Sequence, residues 1–186
     1  MDILTQKRIT DNGDGRGYFR NCIEYAFKEK CEENEALIQV KGYGVSGRSP
    51  ENAYNQMYNV KEYYGKTGDN PVMHFVVSYD RSTVTEPQTA CEYTDKIADY
   101  FKDRYQMITA IHQEDQGNSL YHAHIIMNSV DYNTGKLYHS GLMNLNSLQC
   151  KFMTLPEIIV KNALRLHELM ALTKIKKYCN FKTNMI

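Results

Sequence analysis

Apolar and polar positions alternate along this chain with two periods, and the switches between them mark out its elements. Met1 to Thr10 holds a short strand around Ile3 and Leu4. From Tyr18 to about Glu33 the residues Phe19, Cys22, Ile23, Ala26 and Phe27 recur every three or four positions, which predicts an amphipathic helix. Tyr18 and Tyr25, seven apart, fall on a stripe beside that apolar face, so each is placed at a helix flank. Leu37 to Val40 reads as a short strand, followed by a loop rich in glycine, Gly42, Gly44 and Gly47. Ser49 and Pro50 supply an N-cap and a first helical position, and the helix they open should run to about Tyr64, burying Ala53, Met57 and Val60. Met73 to Tyr79 is nearly continuous in apolar residues, as a buried central strand is. Thr85 as cap, with Pro87 in the first turn, starts a third helix that packs through Ala90, Ile97, Ala98 and Phe101.

Two further strands follow, Tyr105 to Ile111 and Tyr121 to Val130, joined by the polar turn Gln113 to Leu120. Asp131 to Gly135 is a hairpin loop that would return Lys136 to His139 as an outer strand. Turns this tight demand antiparallel pairing, so the expected fold class is α+β, a single central antiparallel sheet with helices packed on one face. The opposite face is then left for a ligand. After Gly141 the pattern turns helical again, broken at Pro156, which divides the chain into a domain over residues 1–145 and a helical, basic extension over 146–186.

The strand Tyr121 to Val130 carries chemistry. With side chains alternating at period two, His122, His124 and Asn128 share one face, with Ile126 between the last two. The two imidazoles stand about 7 Å apart along the strand and can converge on one ion. Folding back at the polar turn brings His112 beside them. Three neutral imidazoles form a divalent-metal site with open positions, the catalytic kind, and no cysteine lies near enough to complete a structural zinc site. The plainer alternative is a set of solvated histidines on a strand. Glu114 and Asp115, in the adjoining turn, either orient an imidazole or are solvated loop charges.

Composition changes this picture in three respects. At 186 residues, 42% hydrophobic and 24% charged, the chain suits one soluble domain with an appended helix. It has no apolar run long enough for a membrane span and no signal-peptide centre near Met1, so a cytoplasmic protein without membrane insertion is expected. Five scattered cysteines fit reduced thiols better than a disulfide frame. Net charge is zero but uneven: from Lys136 onward eight basic residues face Glu157 and Glu168, a surplus of six, balanced by an acidic surplus of six before it. A basic final third either serves phosphates or is the solvated face of a helix. Fifteen tyrosines provide rings that stack on bases or build cores.

His112, His122-Ala123-His124 and Asn128-Ser129-Val130, on strand, polar loop and strand, resemble the third motif of the relaxase/mobilisation nuclease family, within the HUH endonuclease superfamily. His74-Phe75-Val76-Val77-Ser78-Tyr79 resembles the family's second motif, a strand ending in serine. Ile23 to Lys30 resembles the first, which holds a nucleophilic tyrosine. The resemblance spans about Tyr18 to Leu142, with its specificity in the third motif. It implies an HUH/relaxase-like fold and a bacterial enzyme that nicks and rejoins one DNA strand at a plasmid or transposon transfer origin, through a 5′-phosphotyrosyl intermediate.

Carried over by position, the resemblance makes Tyr25 the nucleophile, with Tyr18 its nearest rival, and His112, His122 and His124 the ligands of a divalent ion such as magnesium or manganese. It makes Ser78 a contact to single-stranded origin DNA, and accessory relaxosome proteins are implied partners. Arg81, Lys136, Asn128 and the basic run Lys174 to Lys177 are further candidates for DNA contact. His74 reads either as a polar contact or as a satisfied core residue. His139 meets phosphate or water, and His167 has no evident partner. Two alternatives stay open. One is a non-catalytic, metal-stabilised DNA-binding module descended from such an enzyme, which would bind an oligonucleotide without becoming attached to it. The other is a rolling-circle replication initiator, whose tyrosine usually follows the histidine motif, whereas Tyr25 precedes it.

Overall fold

The computed structural model describes residues 3–7, 16–29, 35–68, 72–114 and 119–138. Among them, five strands and three helices alternate: β1 (Ile3–Lys7), α1 (Arg16–Ala26), β2 (Glu35–Tyr43), α2 (Pro50–Tyr63), β3 (Val72–Asp80), α3 (Pro87–Asp99), β4 (Met107–Glu114) and β5 (Ser119–Asn128). The strands form one antiparallel sheet in the order β1-β3-β5-β4-β2, so the expected α+β class with a single antiparallel sheet is what forms. The hairpin β4–β5 puts β5 at the centre, and β3 pairs with its other side. Because β3 and β4 both run antiparallel to β5, they are parallel to each other, and α3 is the crossover such a pair requires.

Register sorts the side chains into two layers. Met73, Phe75, Val77 and Tyr79 of β3 lie opposite Met127, Ile125, Ala123 and Tyr121 of β5, and with Met107 and Ile111 they pack against Ala90, Cys91, Ile97 and Ala98 of α3. The alternate residues Val72, Ile108, Ala110 and Ile126 pack against Phe19, Ile23 and Ala26 of α1 and Ala53 and Met57 of α2. Helices therefore cover both faces of the sheet, which corrects the expectation that they pack on one face alone. The reason is visible in β3, whose nearly continuous apolar run needs cover on both sides.

Local signals set most element boundaries. Ser49 caps α2, its hydroxyl accepting the Asn52 N–H at 3.2 Å, with Pro50 in the first turn. The α2 face is shifted from the expected one: Ala53 and Met57 are buried, Val60 is half-buried, and Lys61 is buried in its place. Helix α3 starts after Glu86 with no side-chain cap, so Thr85 does not serve as one. Helix α1 ends at Ala26, earlier than Glu33, because the apolar repeat stops at Phe27; the Phe27 and Lys28 amides close the last turn on Glu24 and Tyr25 carbonyls. Beyond β5, Lys136 to Tyr138 forms no further strand, only the bridge of Val130 with Leu137. Cys22 and Cys91 are buried and not in disulfides. Asp115, His139, His167, Lys174 to Lys177 and the extension over 146–186 lie outside the described residues.

Candidate metal centre

The antiparallel register places His112 of β4 directly opposite His122 of β5, and Ala110 opposite His124. On the other flank of β5, Ser78 stands opposite His122 and Val76 opposite His124. All of these point to the face that α1 and α2 cover. The rings of His112 and His122 stack at 5.5 Å between centroids, and His124 meets both edge-on, at 5.4 and 5.1 Å. The three histidines singled out from sequence are thus gathered in one place, and all three are buried.

A fourth residue joins them. Glu35, at the start of β2, is 9% exposed; its Oε1 lies 3.6 Å from His122 Nε2 and its Oε2 3.9 Å from His112 Nδ1. Among the described residues, Glu35, His112 and His122 each offer a ligand atom within 4.8 Å of the others, a group that could hold a metal ion. Two imidazoles with a carboxylate, and a third imidazole at their edge, suit a borderline or hard divalent cation. Buried side by side without a cation, such a carboxylate and rings would be costly, so the donor set fits an ion.

Each ring has a polar neighbour. His112 is hydrogen-bonded to the backbone of Ala26, the last residue of α1; burial lowers the pKa of this imidazole, and the bond to Ala26 partly opposes that. His122 Nδ1 lies 4.0 Å from the carboxylate of Glu114, a partly exposed residue and too far for a direct hydrogen bond. His124 Nδ1 is 2.9 Å from His74 Nε2. Histidine Nδ1 and Nε2 both serve as ligands, and the partner of one nitrogen decides the other's role.

Tyr25 arrives from α1 with its ring edge-on to His124, 5.0 Å between centroids at 87°, half-buried, and with Lys28 Nζ 6.0 Å from the ring centre. Tyr18, about two turns earlier on the same stripe, bonds to Cys22, and burial pushes its hydroxyl well above the ordinary phenol range. Tyr25 is thus in ring contact with the histidine cluster. Ser78 is half-buried on the cluster's face, and Arg81 is exposed in the turn that ends β3, at the same end of the sheet.

Two candidates do not join the site. Asn128 is fully buried about 20 Å farther along β5 than His122, by ordinary strand rise. Its amide donates to the Met57 carbonyl and to Gln106 Oε1, and its oxygen accepts the Val130 N–H, so it knots the end of the sheet instead of contacting DNA. Lys136 is exposed in the turn after β5, beyond that same far end. The glycine-rich loop is there too: Gly42 and Gly47 pack so closely that a Cβ on Gly42 would meet the Val45 carbonyl oxygen at 2.1 Å.

Glu35 was missed in the sequence because nothing marks it among the acidic residues Glu32, Glu33 and Glu35. Its role depends on the β2–β4 register, which places it opposite Glu114 and two residues from the partner of His112. Among the described residues, no helix is long and apolar enough to cross a membrane. No curated protein and no solved structure matches the chain. A protein-family model does: residues 25–150, from Tyr25 through all three histidines, match the family described as "Relaxase: MobA/VirD2-like, nuclease domain".

Proposed function

The chain belongs to the relaxase family, its MobA/VirD2-like nuclease domain spanning residues 25–150, and from that premise we propose that it nicks and rejoins a single DNA strand through a tyrosyl ester. The observation that carries this reading is the approach of Tyr25 to His124, which sets a nucleophile from α1 against a cluster of three histidines and a carboxylate. His112, His122 and His124, with Glu35, would hold the divalent ion. Once bound, such an ion offsets charge on a non-bridging phosphate oxygen and orients the phosphodiester.

In the proposed reaction the Tyr25 hydroxyl attacks phosphorus and gives up its proton. A bond forms between the phenolic oxygen and phosphorus, and the bond from phosphorus to the 3′ oxygen breaks, the leaving oxygen taking a proton. The 5′ end stays on Tyr25. One phosphoester replaces another of similar energy, so the 3′ hydroxyl can reverse the step, which suits cutting followed by rejoining. Ser78 and Arg81, at the same end of the sheet as the histidines, would contact the strand near the cut, and Glu114 would help orient His122. A single-stranded substrate is favoured because the phosphate must reach a half-buried tyrosine. A transfer origin on a plasmid or transposon, in a bacterial cytoplasm and with relaxosome partners, is the setting this chemistry fits.

Incubation with manganese and a pool of single-stranded oligonucleotides should leave a nucleotide bonded to Tyr25, detected by mass spectrometry. Tyr25→Phe should abolish the adduct and retain oligonucleotide binding, and Tyr18→Phe should keep both. An adduct that persists in Tyr25→Phe would move the nucleophile elsewhere. Binding by the unaltered protein with no adduct under any divalent ion would favour the non-catalytic DNA-binding module.

A further inference from the structure

We propose that His74 is a positioning residue for the metal centre: through an imidazole–imidazole hydrogen bond it fixes the tautomer and ring orientation of His124. This rests on the reading of the histidine cluster as an ion site. His74 belongs to β3, and its Nε2 stands 2.9 Å from His124 Nδ1, with the ring centroids 5.1 Å apart at 49°. Both residues are buried, at 4% and 2% exposure. The register explains the contact. Val76 is directly opposite His124 and His74 is opposite Ile126, so His74 is the diagonal neighbour on the same face, within reach of a long side chain.

The chemistry of two neutral imidazoles leaves one arrangement compatible with ligation. A hydrogen bond between ring nitrogens needs one donor and one acceptor. If His124 offers its Nε2 lone pair to an ion, its proton is on Nδ1, and that N–H donates to His74 Nε2. His74 must then carry its own proton on Nδ1. One contact therefore sets both tautomers, and it turns the ligating nitrogen of His124 away from β3.

The choice of a neutral acceptor has a consequence. His112 is oriented by the Ala26 backbone, and His122 already lies near Glu35 and Glu114. A third carboxylate behind His124 would add negative charge to a site that must admit an anionic phosphodiester. An imidazole orients the ring without that charge.

The test compares His74→Leu, His74→Gln and His74→Asn with the unaltered protein. Manganese affinity is measured by calorimetry, the visible spectrum is recorded with cobalt bound, and the ion-free proteins are melted. His74→Leu should weaken manganese binding about 10- to 100-fold and alter the cobalt spectrum, as loss of an orienting partner does. Its ion-free melting should stay near that of the unaltered protein. His74→Gln, whose carbonyl oxygen can accept at the position of Nε2, should recover most of the affinity. If His74→Leu does not fold, the amide pair decides: Gln should bind well and the shorter Asn poorly. Unchanged affinity in His74→Leu, or equal affinities for Gln and Asn, would overturn this role while leaving the ion site standing. Failure of the unaltered protein to bind manganese or cobalt would overturn the ion site, and this role with it.

Discussion

As a ligand, Glu35 would decide what kind of ion the centre holds. Three imidazoles alone make a neutral, nitrogen-only site suited to zinc, copper or nickel, whereas a carboxylate 3.6 Å from His122 adds a hard, charged oxygen that favours manganese or magnesium. Glu35→Gln keeps the shape and removes the charge. It should weaken manganese binding on the order of tenfold, comparable to loss of a supporting group at a metal site, with a smaller effect on zinc. Equal manganese affinity by calorimetry would make Glu35 a neighbour of His122 and no ligand. At this scale the histidines were legible and the carboxylate was not. His112, His122 and His124 announce themselves by rarity and by the two-residue spacing of a strand. Glu35 is one acid among 22 acidic residues, and only the pairing of β2 with β4 makes it special.

At the scale of elements, α2 contains the exception to its own amphipathic pattern. Lys61 is fully covered, its ammonium donating to Ser129 Oγ at 2.8 Å, and burial lowers its pKa from 10.5 to about 8. Below pH 8 the lysine is charged in both the folded and unfolded chains, and the fold carries the full cost of burying that charge. Between pH 8 and about 10 the unfolded chain holds the extra proton, so stability rises with pH across that window. Lys61→Met should therefore stabilise the protein at pH 7 by about 1 to 3 kcal/mol, the lost Ser129 bond offsetting part of the gain. It should also flatten the rise between pH 8 and 10. Urea titrations at pH 7, 8, 9 and 10 check both effects, and an unchanged slope would assign the titration to another group. The helices themselves were readable because caps and apolar spacing are local: Ser49 with Pro50 marks the start of α2, and Phe19, Ile23 and Ala26 mark the buried face of α1. Which face of the sheet each helix covers is not local. It follows from the β3–α3–β4 crossover around β5, so the idea of an open ligand face failed and the histidines lie beneath α1.

For the molecule as a whole, the centre exists only once the chain has folded. Its groups come from β2, β4 and β5, with Tyr25 delivered by α1, whose last residue is bonded to His112. Residues 1–135 carry an acidic surplus of six, so this part of the chain has no net attraction for DNA, and a cation among the histidines would supply positive charge where the phosphate must sit. Because the unfolded chain keeps residues 35, 112 and 122 far apart, an ion held by them would bind the folded state in preference, and its binding energy would add to stability. At free manganese 100 times its dissociation constant the gain should be about 2.7 kcal/mol, or about 5 to 10 °C in melting temperature for a chain of this length. Chelation should reverse it. His112→Ala, which removes the ring that faces both Glu35 and His122, should melt at one temperature with or without manganese. If that variant is stabilised as much as the unaltered protein, the ion binds elsewhere, and Tyr25 has lost the charge that its attack on a phosphodiester requires.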